Sequence, residues 1–372
     1  MSPRHRTGDV KERPAPPALG GTPSAEDDTE REAPLDIARL HETATALVAD
    51  GKGLLAADES TGSIRKRFDA VGVESTETSR RDYRHMLVGT PGIGAHVSGV
   101  ILYDETIRQA APDGTPLVRL IEDAGMIPGI KVDTGAKPLA PEPDGGETVT
   151  EGLDGLRDRF KEYAALGARF AKWRAVYSIG DGRPSARSIH VNAHALARYA
   201  ALAQENGLVP IVEPEVLMDG GHDIAACFSA TEAVQHAVFE DLRIQGVRPE
   251  GMLLKPNMVI SGKDAADQAD PDTVAERTLA CFRRTVPAAV PGIVFLSGGQ
   301  DDEQATINLD AINRRARLEG APWPLSFSYG RALQQAALKT WAGDNANAGA
   351  ARAAFLDRAK ANQQAALGQL VA

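Results

Sequence analysis

Eight short apolar or small-residue runs recur along this chain, and most of them are followed by polar chemistry. They are LLAA at 54–57, HVSGVIL at 96–102, MIPGIKV at 126–132, ARFAKW at 168–173, LVPIVE at 208–213, GMLL at 251–254, GIVFLS at 292–297 and LSFSY at 325–329. Helical periodicity separates many of them. Ile37, Leu40, Ala44 and Leu47 share a face within 34–49, and Leu156, Phe160, Tyr163 and Leu166 share one within 154–166. Residues 191–205, 230–244, 272–284, 302–316 and 331–341 also read as helices. Strand–helix alternation with right-handed crossovers gives a parallel sheet with helices outside. Eight strands favour closure over an open doubly wound sheet, and a closed barrel gathers its site at the C-terminal ends of its strands. The expected class is α/β: a single (β/α)8 TIM barrel over 35–344, a disordered proline-rich extension at 1–34 and a C-terminal tail at 345–372.

The 372 residues suffice for one such barrel, and a 42% hydrophobic content supplies its core. A net charge of -10 gives no support to nucleic-acid binding, and no run approaches the length of a membrane span. Two cysteines, Cys227 and Cys281, make neither a disulfide framework nor a metal cluster and favour a reducing compartment. The first 34 residues almost lack large apolar side chains and carry no apolar signal core. Glu26, Asp27, Asp28, Glu30 and Glu32 argue against a mitochondrial presequence, so the expected location is the cytoplasm. GAKPLAPEPDGGET at 135–148 reads as an excursion whose prolines and glycines deny it a regular interior.

The run endings carry the chemistry. Lys255 follows Leu253 and Leu254 and precedes Pro256. Burial disfavours an ammonium, and a neutral amine attacks a ketone to form a Schiff base. The resulting iminium stabilises the carbanion left when the neighbouring carbon–carbon bond breaks. Lys172 in FAKWR is the cation expected to keep the nucleophile neutral, with simple bridging of carboxylates at the mouth as its alternative. Glu213 and Glu215 alternate in IVEPE and point the same way on an extended strand. Glu213 is the expected acid/base group, and Glu215 would share or tune its proton. Asp58 would accept the substrate hydroxyl proton as the bond breaks. Glu59 could instead face solvent or a basic group. Lys131 alternates with Asp133 and could pair with Asp58 or bind phosphate; Arg174 could face the substrate two residues beyond Lys172.

Two loops suit anions. In FLSGGQ, Ser297, Gly298 and Gly299 let backbone amides approach closely, and in SYGRAL, Gly330 opens a turn before Arg331 and a helix N-terminus. At the other end of the chain, ESTGSIRKR offers Ser60 and Ser63, with Lys66 and Arg67 behind them. One phosphate at each end of a substrate would use both places. His190 and His194 stand four apart without a third ligand and suit a helix entry or packing; no HExxH, CxxC or Walker A pattern points to a metal or nucleotide, and GTPGIGAH at 89–96 lacks dinucleotide spacing.

LAADESTGSI, KVDTG, FAKWRAVYSI, PIVEPEVLMDG, LLKPNMV, FLSGGQ and SFSYGRALQ, in this order, resemble the characteristic segments of the class I fructose-bisphosphate aldolases of animals and plants, from about Leu35 to Asp344. The resemblance implies a Schiff base on Lys255, acid/base work by Glu213 and cleavage assistance by Asp58. Lys172, Arg174, Glu215 and Lys131 match further active-site positions. Ser297, Gly298, Gly330 and Arg331 match the ketone-side phosphate grip, and Ser60, Ser63 and Lys131 the other. It further implies metal-independent cleavage of fructose 1,6-bisphosphate to dihydroxyacetone phosphate and glyceraldehyde 3-phosphate, in glycolysis and gluconeogenesis, by a homotetramer without a cofactor. Related aldolases acting on fructose 1-phosphate or sedoheptulose 1,7-bisphosphate, and a barrel scaffold without turnover, are the alternatives. Two departures are the long front extension and the tail. Relatives commonly end in a proton-shuttling tyrosine, whereas the last tyrosine here is Tyr329. The alanine-rich bias and altered tail suggest a bacterial source.

Overall fold

Each of the eight apolar runs forms a strand of one closed parallel barrel. The computed structural model describes residues 35–141 and 146–370, so the extension at 1–34 lies outside the described residues. The barrel strands are β1 (Gly53–Ala57), β2 (Val97–Leu102), β3 (Ile127–Lys131), β4 (Phe170–Tyr177), β5 (Val209–Val216), β6 (Leu253–Leu254), β7 (Ile293–Phe295) and β8 (Leu325–Tyr329). Each pairs with its neighbours in sequence, and β8 closes on β1 through Leu54 opposite Ser328 and Leu55 opposite Tyr329.

Alternation along the strands sorts side chains into an inner and an outer set. Leu54, Ala56, Ile101, Phe170, Val209, Ile211, Leu253 and Val294 form an apolar cluster inside the barrel. Leu40, Ala44 and Leu47 of helix Ile37–Leu47 join it and seal the end where the strands begin. Each fully buried Leu or Phe in such a cluster contributes about 1.5–3 kcal/mol. Gly129 makes room for Phe170: a Cβ there would meet the ring at 2.3 Å. The intervening residues, such as Leu55, Ala171, Val212 and Phe295, face the surrounding helices in a second cluster.

Helices cover the barrel over Leu156–Ala165, Ala186–Glu205, Ile224–Ile244, Pro271–Thr285, Asp302–Glu319 and Arg331–Trp341. Most begin with a serine or aspartate cap: Ser185, Asp223, Asp270 and Asp301 each accept a hydrogen bond from a first-turn amide. Among the described residues, no helix is long and apolar enough to cross a membrane.

The 135–148 excursion differs from expectation. Gly135–Pro138 pairs antiparallel with Thr148–Glu151. The first arm accommodates Gly135 and Pro138, while β-branched Thr148, Val149 and Thr150 favour extension in the second. Asn192 anchors the returning arm: Thr150 N donates to its Oδ1 at 3.0 Å, and its amide donates to Thr148 O at 2.8 Å. His190 and His194 flank it, exposed on the same helix.

Residues Ala348–Ala366 form a helix that buries Ala351, Phe355, Ala359, Asn362 and Ala365 at helical spacing. It runs against helices Asp302–Glu319 and Arg331–Trp341 toward the sealed end. There Gln363 bonds His96 and the Ala95 carbonyl, and Gly368 O accepts from Arg317 at 2.7 Å.

Candidate active site

Two residues beyond the apolar layer, the same inward alternation delivers charge. Leu54 and Ala56 lead to Asp58, Phe170 to Lys172 and Arg174, Ile211 to Glu213 and Glu215, and Leu253 to Lys255. These side chains converge in a cleft of about 690 Å³ at the C-terminal ends of the strands. All the residues singled out from sequence line it: Asp58, Ser60, Ser63, Lys131, Lys172, Arg174, Glu213, Glu215, Lys255, Ser297, Gly298, Gly299, Gly330 and Arg331.

Glu213 bridges the two central lysines. Its Oε1 is 3.1 Å from Lys255 Nζ and its Oε2 is 3.3 Å from Lys172 Nζ. Lys172 also lies 2.7 Å from Asp58 Oδ2 and 4.0 Å from Asp133 Oδ2. Lys172 and Lys255 are each only 3% exposed, so the charges are removed from water and depend on one another. Burial works against the Lys172 ammonium, yet Asp58, Glu213 and Asp133 outweigh it and raise its pKa above the ordinary 10.5. Burial likewise opposes the Asp58 carboxylate, but Lys172, then Lys255, hold its pKa below the ordinary 3.8. These pairings favour the charged forms of both Lys172 and Asp58 beside Lys255.

Two partnerships differ from the simplest sequence expectation. Lys131 pairs with Asp133 rather than Asp58, at 2.5 Å to Oδ1 and 2.7 Å to the Asp133 carbonyl. Glu215 faces the same way as Glu213 but is held by Arg174 Nε at 2.5 Å. The Arg174–Glu215 pair runs diagonally between adjacent strands, whose register sets Arg174 opposite Glu213 and Val176 opposite Glu215. Glu59 takes the second of its two expected environments, buried against the basic Arg67 2.6 Å away.

The anion loops sit on one side of the cleft. Gly298 and Gly299 adopt φ of 59° and 91°, a left-handed conformation that glycine takes readily. The Arg331 guanidinium lies over this loop, with Nη2 3.7 Å from where a Cβ on Gly299 would stand. Arg67 Nη2 would be 3.5 Å from a Cβ on Gly330, so two guanidiniums flank the glycines. Beyond the end of β1, the neighbour of β8, Ser60 caps helix Thr61–Asp69 and meets Ser63 Oγ at 3.1 Å.

Arg67, offered with the anion-suited segment 59–67, lines the cleft too, and so do Asp133 and Ser328, which had no role assigned from sequence. Asp133 and Ser328 were findable: each lies two residues from a selected position, Lys131 and Gly330, on the inward face. Asp133 collects Lys131, the Gly135 amide at 3.1 Å and the Arg174 amide at 3.3 Å. Ser328 is 1% exposed and its hydroxyl has no hydrogen-bond partner among the described residues.

A closed parallel barrel with a lysine–carboxylate centre at its C-terminal mouth defines the class: an α/β-barrel enzyme. Residues 39–372 match the family model described as fructose-bisphosphate aldolase class-I. The chain belongs to the class-I fructose-bisphosphate aldolase family. It is 57% identical over 336 residues to the probable fructose-bisphosphate aldolase class 1 of Xanthomonas campestris, covering 90% of this chain and 99% of that relative. It is 56% identical over 318 residues to fructose-bisphosphate aldolase 6, cytosolic, of Arabidopsis thaliana, covering 86% and 87%. Among solved structures, the Plasmodium falciparum aldolase, crystallised with TRAP and a small-molecule inhibitor, superposes with a TM-score of 0.88 at 49% identity, covering 92% and 98% of the two chains.

Proposed function

We propose that this barrel cleaves fructose 1,6-bisphosphate reversibly to dihydroxyacetone phosphate and glyceraldehyde 3-phosphate, through a Schiff base on Lys255. The observation that carries the reading is the Glu213 carboxylate shared between Lys255 and Lys172. Lys255 Nζ adds to the ketone carbon, and Glu213 relays a proton to the departing water. Lys172 remains cationic beside the nucleophile. In the iminium, the bond between the third and fourth carbons breaks; its electrons pass into an enamine, and Asp58 takes the proton of the fourth carbon's hydroxyl. Glyceraldehyde 3-phosphate leaves, the enamine is protonated at the third carbon, and hydrolysis frees dihydroxyacetone phosphate and Lys255.

Ser297, Gly298, Gly299, Gly330 and Arg331 hold the ketone-side phosphate; Ser60, Ser63 and Lys131 hold the other. Arg174 faces the substrate while ordering Glu215. The iminium is the electron sink, so no metal or organic cofactor is assigned. The family and its cytosolic plant relatives support a cytoplasmic homotetramer, which mass determination in solution tests directly.

Borohydride with dihydroxyacetone phosphate, followed by mass mapping, tests the central claim. Modification at Lys255 is expected; modification elsewhere, or none, overturns it. Chelator leaves activity intact, and relative rates on fructose 1-phosphate and sedoheptulose 1,7-bisphosphate measure the preference for fructose 1,6-bisphosphate.

A further inference from the structure

Strand pairing between β1 and β8 stops at Leu55 and Tyr329, where the chain turns at Gly330 into helix Arg331–Trp341. The next carbonyl of β1, that of Ala56, accepts from a side chain instead. Gln334, one turn into the helix, donates through Nε2 to Ala56 O at 2.7 Å and to Glu59 Oε1 at 3.1 Å. Its own Oε1 accepts from the Tyr83 hydroxyl at 3.2 Å. Gln334 is 1% exposed. It stands behind the cleft wall rather than on it.

Ala56 and Glu59 bracket Asp58. One amide thus grips the end of β1 on both sides of the carboxylate assigned to cleavage. Glu59 is further fixed by Arg67 at 2.6 Å, and its carbonyl accepts from the buried Arg84 at 2.6 Å. Lys255 comes from β6, across the barrel, and has no bond to this cluster. A buried amide with every polar atom paired holds one geometry, because any rotation strands a donor or acceptor.

We propose that Gln334 is a positioning residue for the cleavage step: it fixes Asp58 against the substrate hydroxyl and leaves Schiff-base formation at Lys255 independent of it. The proposal rests on the aldol reading above. A small error in the placement of a proton acceptor slows its step without preventing substrate from binding.

The test separates the two steps in the full chain. Gln334→Met keeps the length of the side chain and removes both donor and acceptor. The kcat for fructose 1,6-bisphosphate cleavage is expected to fall by about tenfold or more, while borohydride trapping of dihydroxyacetone phosphate at Lys255 stays within about twofold of the parent. Equal losses in trapping and cleavage, or a cleavage rate within about twofold of the parent, overturn the proposal. If Gln334→Met does not fold, Tyr83→Phe removes only the hydroxyl that orients the amide. It is expected to slow cleavage by about threefold with trapping unchanged, and the absence of that split overturns the proposal equally. Failure of the unsubstituted protein to be trapped at Lys255 would strike the Schiff-base reading instead.

Discussion

The two ends of the barrel interior are built from the same strands and have opposite chemistry. At the sealed end Leu54, Phe170, Val209 and Leu253 pack with Leu40 and Leu47. Two to four residues further along those strands stand Lys172, Glu213 and Lys255, nearly as deeply buried, and the partly exposed Asp58. The first layer lowers the free energy of the fold through apolar burial. The second carries a desolvation cost, offset by mutual pairing, and holds its charges for chemistry. Stability and reactivity are thus separated along the barrel axis. Substitutions at each end should move one property and spare the other.

The largest break is Lys255→Met. Cleavage should fall at least about a thousandfold, roughly 4 kcal/mol of barrier, in a protein that remains folded by circular dichroism. Full activity would sink the covalent mechanism. At the sealed end, Phe170→Ala should cost about 3–5 kcal/mol of stability in denaturant unfolding, with kcat of the folded fraction little changed. A selective loss of kcat there would show that the two layers are coupled.

Arg331→Ala sharpens the contrast within the mouth. Loss of one charge-assisted contact to phosphate should weaken use of the bisphosphate by about 1.5–3 kcal/mol, read in kcat/KM, with melting temperature nearly unchanged. An unchanged KM with a large drop in melting temperature would reassign Arg331 to the fold.

The mouth should also set the pH limits of stability. Asp58 has a lowered folded pKa, so its share of stability is present above the unfolded value of 3.8 and is lost as pH falls through the folded value. Lys172 has a raised one, so its share is present below 10.5 and is lost as pH rises through the folded value. Between these limits neither group contributes a slope. Asp58→Asn should flatten the acid side of a melting-temperature profile, and an unaltered acid limb would count against the Lys172–Asp58 pairing.

The smallest effect is expected from removing Gly368–Ala372. Gly368 and Leu370 bond Arg317 and Asp310 on helix Asp302–Glu319, away from the mouth. Cleavage should change by less than about tenfold, or roughly 1.4 kcal/mol of barrier. Hydrogen exchange at the enamine carbon of dihydroxyacetone phosphate is the sensitive readout; a large selective loss would give this segment the proton-transfer task.

Much of this contrast was legible in the sequence, because period-two alternation reads out one face of a strand. LLAADES placed Leu54, Ala56 and Asp58 on one line, and IVEPE placed Glu213 with Glu215. The same rule extends to Asp133 and Ser328. Side-chain partners were less legible. Lys131 on Asp133 joins two residues of one segment, and Glu215 on Arg174 is a diagonal pair between neighbouring strands; composition encodes neither. Gln334 gave no signal at all: in QQAALK it looks like any polar helix residue, and only the turn at Gly330 brings it behind Asp58. The hairpin arms at 135–138 and 148–151 were obscured by the prolines and glycines at their tip.

Barrel closure has a consequence for the life of the chain. Asp58, Lys131 and Lys172 come from β1 to β4, and Glu213, Lys255 and the anion loops from β5 to β8. Neither half holds a nucleophile, its proton acceptor and a full set of anion contacts together. A ribosome releases the last strand long after the first, so a nascent chain has no working centre until β8 seats against β1. Assembly of the last seam is then the moment at which the polypeptide becomes a catalyst, and a proteolysed or truncated fragment is chemically silent rather than half-active.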